Sequence, residues 1–422
     1  MLFLSVLCRF IQRLTHLKKM NLFASRHLKE LPDLSNATNL ERMDLSYCES
    51  LVEIPSSFSH LHKLEWLEMN NCINLQVIPA HMNLASLETV NMRGCSRLRN
   101  IPVMSTNITQ LYVSRTAVEG MPPSIRFCSR LERLSISSSG KLKGITHLPI
   151  SLKQLDLIDS DIETIPECIK SLHLLYILNL SGCRRLASLP ELPSSLRFLM
   201  ADDCESLETV FCPLNTPKAE LNFTNCFKLG QQAQRAIVQR SLLLGTTLLP
   251  GRELPAEFDH QGKGNTLTIR PGTGFVVCIV ISPNLASQIT EYRLPQLLCR
   301  RRIGQGDLDP IEKVFNVRTL LNFQTEHLFV FIIHPHLPFI DPSEVSREIV
   351  FEFSSKFNHF DVIDCGAKFL TDGSIKGSYD SGLEQVFEDN TKHGDHADCW
   401  NWLFHCFDLP HFVKNVRSFV SV

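Results

Sequence analysis

Through its first half this chain repeats itself. Aliphatic residues recur as L-x-x-L-x-L-x-x-(C/S/T)-x-x-L-x-x-(I/L)-P, with starts at Leu17, Leu40, Leu64, Leu87, Ile108, Leu131, Leu152, Leu175 and Leu196, roughly every 23 residues. The clearest copies are Leu40, Met43, Leu45, Cys48, Leu51, Ile54, Pro55 and Leu64, Leu67, Met69, Cys72, Leu75, Ile78, Pro79. Copies starting at Ile108 and Leu152 are shorter, and Val118 and Ile162 arrive early. The x-L-x-L segment alternates with period two, which makes a short strand whose leucines point one way and whose neighbours point the other. One copy cannot bury its leucines. Stacked copies can, with strands about 4.8 Å apart in a parallel ladder. The spacing therefore predicts a solenoid with a hollow, strand-lined face.

The C/S/T slot holds Cys48, Cys72, Cys95, Cys183 and Cys204, and elsewhere Ser25, Thr116, Ser139 and Ser160. Every occupant is small and carries a hydrogen-bonding group, which suits a point where the chain leaves the strand with backbone groups to satisfy. Metal-ligating or redox thiols would not tolerate Ser and Thr in the same role, so no chemistry is assigned to them. The period places this unit among the leucine-rich repeats. A partial turn, Leu221, Phe223, Cys226 and Leu229, reads as the cap of the array, and QQAQRAIVQRSLLLG, with Ala233, Ala236, Ile237 and Arg240, as a short helix packed over it.

From Leu249 the leucine period stops. Residues 265–270, 274–282, 327–334, 347–355 and 359–370 are β-rich runs bounded by turn residues. In REIVFEF, Ile349, Phe351 and Phe353 share one face while Glu348 and Glu352 share the other, the pattern of a half-buried antiparallel strand. Gly262, Lys263 and Gly264 read as a turn. The fold expected is an α/β leucine-rich-repeat horseshoe, with short parallel strands on its concave face, followed by an all-β antiparallel sandwich or jelly-roll domain. Its parts are a lead-in at 1–16, repeats and cap at 17–230, a linker helix at 231–248, the β domain at 249–370, and a polar tail with an aromatic end at 371–422.

Composition removes several function classes. Lys plus Arg is 42 against Asp plus Glu 44, a formal charge of -2, so no global field favours nucleic acid or anionic lipid. The 15 cysteines are odd in number and too sparse for a disulfide scaffold, which fits reduced thiols. The longest apolar runs, near Phe275 to Ile281 and Leu328 to Ile333, fall well short of the ~20 residues that span a bilayer. The apolar start, Met1 to Arg13, lacks a basic leader and a small-residue cleavage site. The sequence has no G-x-S-x-G, no H-E-x-x-H and no G-x-x-x-x-G-K-[ST]; GSYDSG at Gly377 to Gly382 has the wrong order. His393, His396, Cys399, His405 and Cys406 have spacings a zinc site could use, yet no paired C-x-x-C frames them. They read as a polar tail beside a helix face of Trp400, Leu403, Phe404 and Phe407, and no metal or cofactor is expected.

Irregular repeats ending in Leu/Ile-Pro with Cys in the slot, then NCFKLGQQAQRAI, then LPGRELPAEFDHQGKGNTLTIRP, resemble the C-terminal half of plant intracellular immune receptors of the TIR-NB-LRR class. The resemblance runs from about Ile11 to Leu370. Leu249, Pro250, Gly251, Arg252, Glu253 and Pro255 match the opening motif of that family's post-repeat jelly-roll domain, the C-JID, and Cys365 to Leu370 resembles its closing Cys-Gly strand. Ala256 and Glu257 depart from the family, which usually places an aromatic residue there. The resemblance implies a non-catalytic module that senses a pathogen effector, or a guarded host protein, from the cytoplasm or nucleus. In that family it works with nucleotide-binding (NB-ARC) and TIR modules, the latter an NADase; no motif of either is present in this sequence.

Outward positions of the strands are the candidate contact residues: Arg42, Asp44, Trp66, Glu68, Arg93, Tyr112, Arg133, Asp156 and Phe198. Trp66, Tyr112, Arg133 and Phe198 lead, because exposed aromatics and Arg carry most interface energy. The alternative is a secreted or cell-surface repeat protein acting as a receptor or inhibitor. It draws on the apolar start and on sequons at Asn36, Asn107 and Asn222; LVEIP and LQVIP, however, lack the Gly of the extracellular plant repeat L-x-G-x-I-P.

Overall fold

A computed structural model describes residues 11–80, 82–211, 216, 219–242, 245–270, 275–284, 295–303, 311–316, 323–333 and 348–370. The tail's candidate zinc ligands and its aromatic helix face lie outside the described residues. Each x-L-x-L segment forms a three-residue strand: β1 (Lys19–Asn21), β2 (Arg42–Asp44), β3 (Trp66–Glu68), β4 (Thr89–Asn91), β5 (Gln110–Tyr112), β6 (Arg133–Ser135), β7 (Gln154–Asp156) and β8 (Ile177–Asn179). The series continues as β10 (Phe198–Met200) and β12 (Glu220–Asn222), while β9 (Ser188–Leu189) and β11 (Thr209–Val210) pair with each other in a separate sheet. Pairing is parallel and in register, leucine beside leucine: Leu111 with Leu134, Leu134 with Leu155, Leu155 with Leu178.

The returning arm is made by proline. Pro55, Pro122 and Pro166 each hold an extended conformation just before a 3-10 turn, at Ser56–His60, Pro123–Phe127 and Glu167–Ser171. These turns press Phe58, Ile125 and Ile169 into the leucine core. Leu40, Leu45, Leu51, Leu64, Leu67 and their counterparts are fully buried, each contributing about 1.5–3 kcal/mol of transfer energy. The shortened copies close the same way, with Val118 and Ile162 fully buried.

β13 (Thr247–Pro250) runs parallel to β12, with Leu221 opposite Thr247. It is followed by β14 (His260–Lys263), β15 (Thr266–Ile269), β16 (Phe275–Pro283), β17 (Gln296–Ile303), β18 (Ile311–Asn316), β19 (His327–Ile333), β20 (Ile349–Ser355) and β21 (Phe360–Phe369). β13 also pairs antiparallel with β19, so the ladder of repeats runs unbroken into a 15-stranded sheet that ends β13-β19-β16-β21-β14. The boundary drawn between 248 and 249 thus falls inside a strand. A second antiparallel sheet, β15-β20-β17-β18, shares one core with that end: Phe275, Val277 and Ile279 from one sheet meet Leu297, Ile349, Phe351 and Phe353 from the other. Gly264, with φ +76°, makes the tight turn that carries β14 into β15, and so from one sheet to the other.

Candidate functional site

The outward side chains of β1 to β12 line the face opposite the leucines. At its start the face is open and mixed in character. Arg42 places its guanidinium 5.5 Å from the centre of the Trp66 ring, and Trp66 is 41% exposed. The indole N–H donates to Glu68 at 2.6 Å, and Asn70 donates to the other Glu68 oxygen at 2.9 Å. Burial nevertheless pushes the Glu68 carboxyl above its ordinary value. Asp44 is committed elsewhere: its Oδ1 accepts the Ser46 N–H at 2.8 Å and shapes the turn out of β2. Asn91, Asn179 and Asn222 do the same at the ends of their strands.

Towards the middle the face closes. Arg93 lies 4.3 Å from the centre of the Tyr112 ring, whose hydroxyl donates to Gln110 at 2.7 Å. Tyr112 is therefore a buried residue, 7% exposed, rather than a projecting aromatic. Arg133 is half-buried. Asp156 is almost wholly buried and takes a hydrogen bond from Gln154 at 3.2 Å. Desolvation pushes its carboxyl up to about 7, against the opposing pull of Gln154, Arg93 and Arg133. Phe198, 36% exposed, reopens the apolar surface near the end of the array. Across the ends of β8, β10 and β12 runs a polar chain absent from the candidate residues: Ser181 donates its N–H to Asn179 and its hydroxyl to Asp202, and Asn222 donates to Asp202 at 2.9 Å while accepting from Thr224.

The slot residues are structural. Cys48, Cys72, Cys95, Cys183, Cys204 and Cys226 donate Sγ–H to a carbonyl of the preceding repeat at 2.9–3.3 Å, and Ser160 substitutes its hydroxyl at 2.9 Å. Burial raises the Cys48 thiol to about 11, far from the thiolate that redox or metal chemistry needs. Sequence reasoning missed the position just before the slot. Ala24, Tyr47, Asn71, Gly94, Arg115, Ser138, Asp159, Gly182, Asp203 and Asn225 all have positive φ. Its signal was legible: Asn, Asp and Gly, the residues that tolerate this region, dominate there.

The post-repeat motif occupies the joint. Leu249 is fully buried opposite Leu328. Gly251 donates its N–H to Glu326 at 3.1 Å, and any Cβ there would run into the Leu328 side chain. Arg252 pairs with Glu326 at 3.5 Å, Glu253 is exposed, and the Pro255 carbonyl takes the N–H of the buried Phe258. Gly366 of the Cys-Gly strand packs against Phe258 and Leu254.

Residues 39–61 match the Leucine Rich Repeat family. Disease resistance protein RML1B of Arabidopsis thaliana is 57% identical over 384 residues, covering 90% of this chain and 37% of that protein. Disease resistance protein RML1A of the same plant is 45% identical over 387 residues, covering 88% and 38%. The chain is homologous to plant disease resistance proteins. It spans somewhat over a third of the length of these two relatives. Among solved structures, the leucine-rich repeat domain of the type III effector XCV3220 (XopL) is similar at 20% identity with a TM-score of 0.39, covering 59% of this chain and 79% of that one. Among the described residues no helix is long and apolar enough to cross a membrane, and no group of three or more His, Cys, Asp or Glu could hold a metal ion.

Proposed function

We propose that this chain is the non-catalytic recognition module of a plant intracellular immune receptor, binding a pathogen effector or a guarded host protein across the strand-lined face and the adjoining β unit. The observation that carries this reading is the open end of that face, where Arg42, Trp66 and Glu68 set a cation, an exposed indole and a carboxylate side by side. Arg and Trp together supply much of the energy at protein interfaces. Homology to disease resistance proteins supports the biological setting. In this reading the two-sheet unit after β12 is the C-JID, the protein acts in the cytoplasm or nucleus, and TIR and NB-ARC modules of a longer receptor carry the signal. The secreted alternative loses one of its sequons, since Asn222 is buried and both ends of its amide are hydrogen-bonded.

The test is to substitute this chain for the matching part of RML1B, then record cell death in leaves against a panel of pathogen effectors. A response lost in Trp66→Ala and Phe198→Ala, and retained in Ile150→Ala on an exposed position away from the strands, is the expected result. A response indifferent to Trp66 and Phe198 would remove the strand-lined face from recognition.

A further inference from the structure

Along the array, the residue before each slot sends its N–H to a carbonyl of the next repeat. Tyr47 donates to Asn70, Asn71 to Arg93, Gly94 to Ser114, Asp159 to Ser181, Gly182 to Asp202 and Asp203 to Thr224, all at 2.7–2.8 Å. Asn225 stands at the same position in the final repeat, where no further repeat offers a carbonyl. Its N–H donates instead to Nε2 of His327, the first residue of β19, at 3.0 Å. An amide N–H is only a donor, so Nε2 must be the unprotonated nitrogen of a neutral ring, with the proton on Nδ1. Nδ1–H accordingly donates to the Thr325 carbonyl at 2.8 Å. An imidazole lone pair stands where the ladder's next carbonyl would be.

The side chain of Asn225 binds the same junction, accepting the Gln324 N–H at 3.1 Å and donating to Asp203 at 2.7 Å. The His327 ring is fully buried, with Phe227 and Phe323 edge-on at 6.2 and 5.6 Å. We propose that His327 is a proton-operated catch: the neutral ring fastens the β unit to the last repeat, and protonation sets N–H against N–H and loosens that joint while the leucine packing of the array stays intact. The proposal is independent of what the strand-lined face binds.

Charged groups reach the ring from two sides. Asp203, from the preceding repeat, and Glu326, from the chain just before β19, both favour the protonated ring, though Glu326 is shared with Arg252. β13 and β16 set Pro250 and Ile281 opposite His327, neither of which titrates. Desolvation is the largest influence and holds the ring's pKa below its ordinary value. With the folded value depressed, the unfolded or opened form takes up the proton first. The catch is therefore intact above the free-histidine range near 6.5 and weakens as pH falls from there through the folded value.

The experiment is hydrogen–deuterium exchange on the full 422-residue chain at about pH 7.5 and about pH 5, corrected for intrinsic exchange. Protection in segments 221–229 and 323–333 is expected to fall about tenfold on acidification, with segment 64–100 unchanged. His327→Gln keeps an acceptor for Asn225 but does not titrate, and its protection should be flat across that range. An equal fall in wild type and His327→Gln, or no fall in wild type, overturns the proposal. If the variant does not fold, nitrogen NMR of labelled histidine in the wild type decides. A ring protonated at Nε2 at neutral pH, or one titrating at the free-histidine value, overturns it; an Nδ1–H ring titrating lower upholds it.

Discussion

Tyr47 holds φ at +61°, a region bulky side chains avoid, and it does so because the ladder needs a left-handed residue there whatever the side chain. Where the ladder uses glycine the tolerance is gone. A Cβ at Gly182, already at φ +72°, would overlap the Asp159 carboxylate of the preceding repeat. Gly182→Ala is expected to cost about 1–3 kcal/mol, read as a lower denaturation midpoint in urea. The slot obeys a different rule, that of the donor. Cys72 gives its thiol hydrogen to the Leu45 carbonyl at 3.1 Å, so Cys72→Ser should cost less than Cys72→Val, which leaves that carbonyl with the Cys48 N–H alone, a loss of about 0.5–1.5 kcal/mol. Asp156 makes a prediction with a sign. Its folded pKa, about 7, lies above the ordinary carboxylate value, so its contribution is complete in acid and is lost as pH rises through about 7. Asp156→Asn should therefore raise the melting temperature relative to wild type more at pH 8 than at pH 4.

Among the elements, helix α1 (Gln231–Ser241) shows most sharply what a pattern conceals. The sequence predicts a short helix over the cap from Ala233, Ala236, Ile237 and Arg240; Ala233 and Ile237 are buried and Ala236 is half-buried. Arg240 is buried too. Its guanidinium donates to the Thr216 carbonyl at 2.9 and 2.6 Å and also to the Ala219 carbonyl, and desolvation lowers its pKa to about 10. Gly245 leaves the space the guanidinium fills. Arg240→Met removes the guanidinium donors from both carbonyls, leaving Thr216 the Ala219 N–H, and should cost about 2–4 kcal/mol, detected as early loss of helical circular dichroism on heating. The spacing sets Arg240 on the packed face but does not announce what holds it there, because its partners are backbone atoms about two dozen residues away. The same distinction separates the strands. β16 and β20 were legible because apolar residues fill or alternate along them, whereas β17 buries Leu297 and Cys299 and then runs into three consecutive arginines that hide its period. On the strand-lined face, alternation located the buried leucines of the strands. Exposure was not legible, since Arg93 lying over Tyr112 and Gln154 bonding Asp156 depend on how side chains settle against one another across the face.

For the whole molecule, the decisive feature is that the repeats and the β unit share one sheet. β13 is hydrogen-bonded to β12 on one side and to β19 on the other, so removing everything after residue 246 would strip the cap from β12 and expose Leu221 and Phe223. Such a truncation is expected to melt at a lower temperature and to aggregate, while the intact chain loses both parts in a single calorimetric transition. Two separate transitions would count against mechanical unity. The junctions within the array, by contrast, are interchangeable. Each is built from a backbone donor, a neighbouring carbonyl and a slot that accepts Cys, Ser or Thr, whereas the final coil is keyed to the β unit through Asn225. Unequal crossing-over between gene segments that encode internal coils would add or delete a whole turn without disturbing that key. A lineage carrying this architecture is thereby free to change the length and contour of its outer arc from one generation to the next, and to leave its terminal fastening untouched.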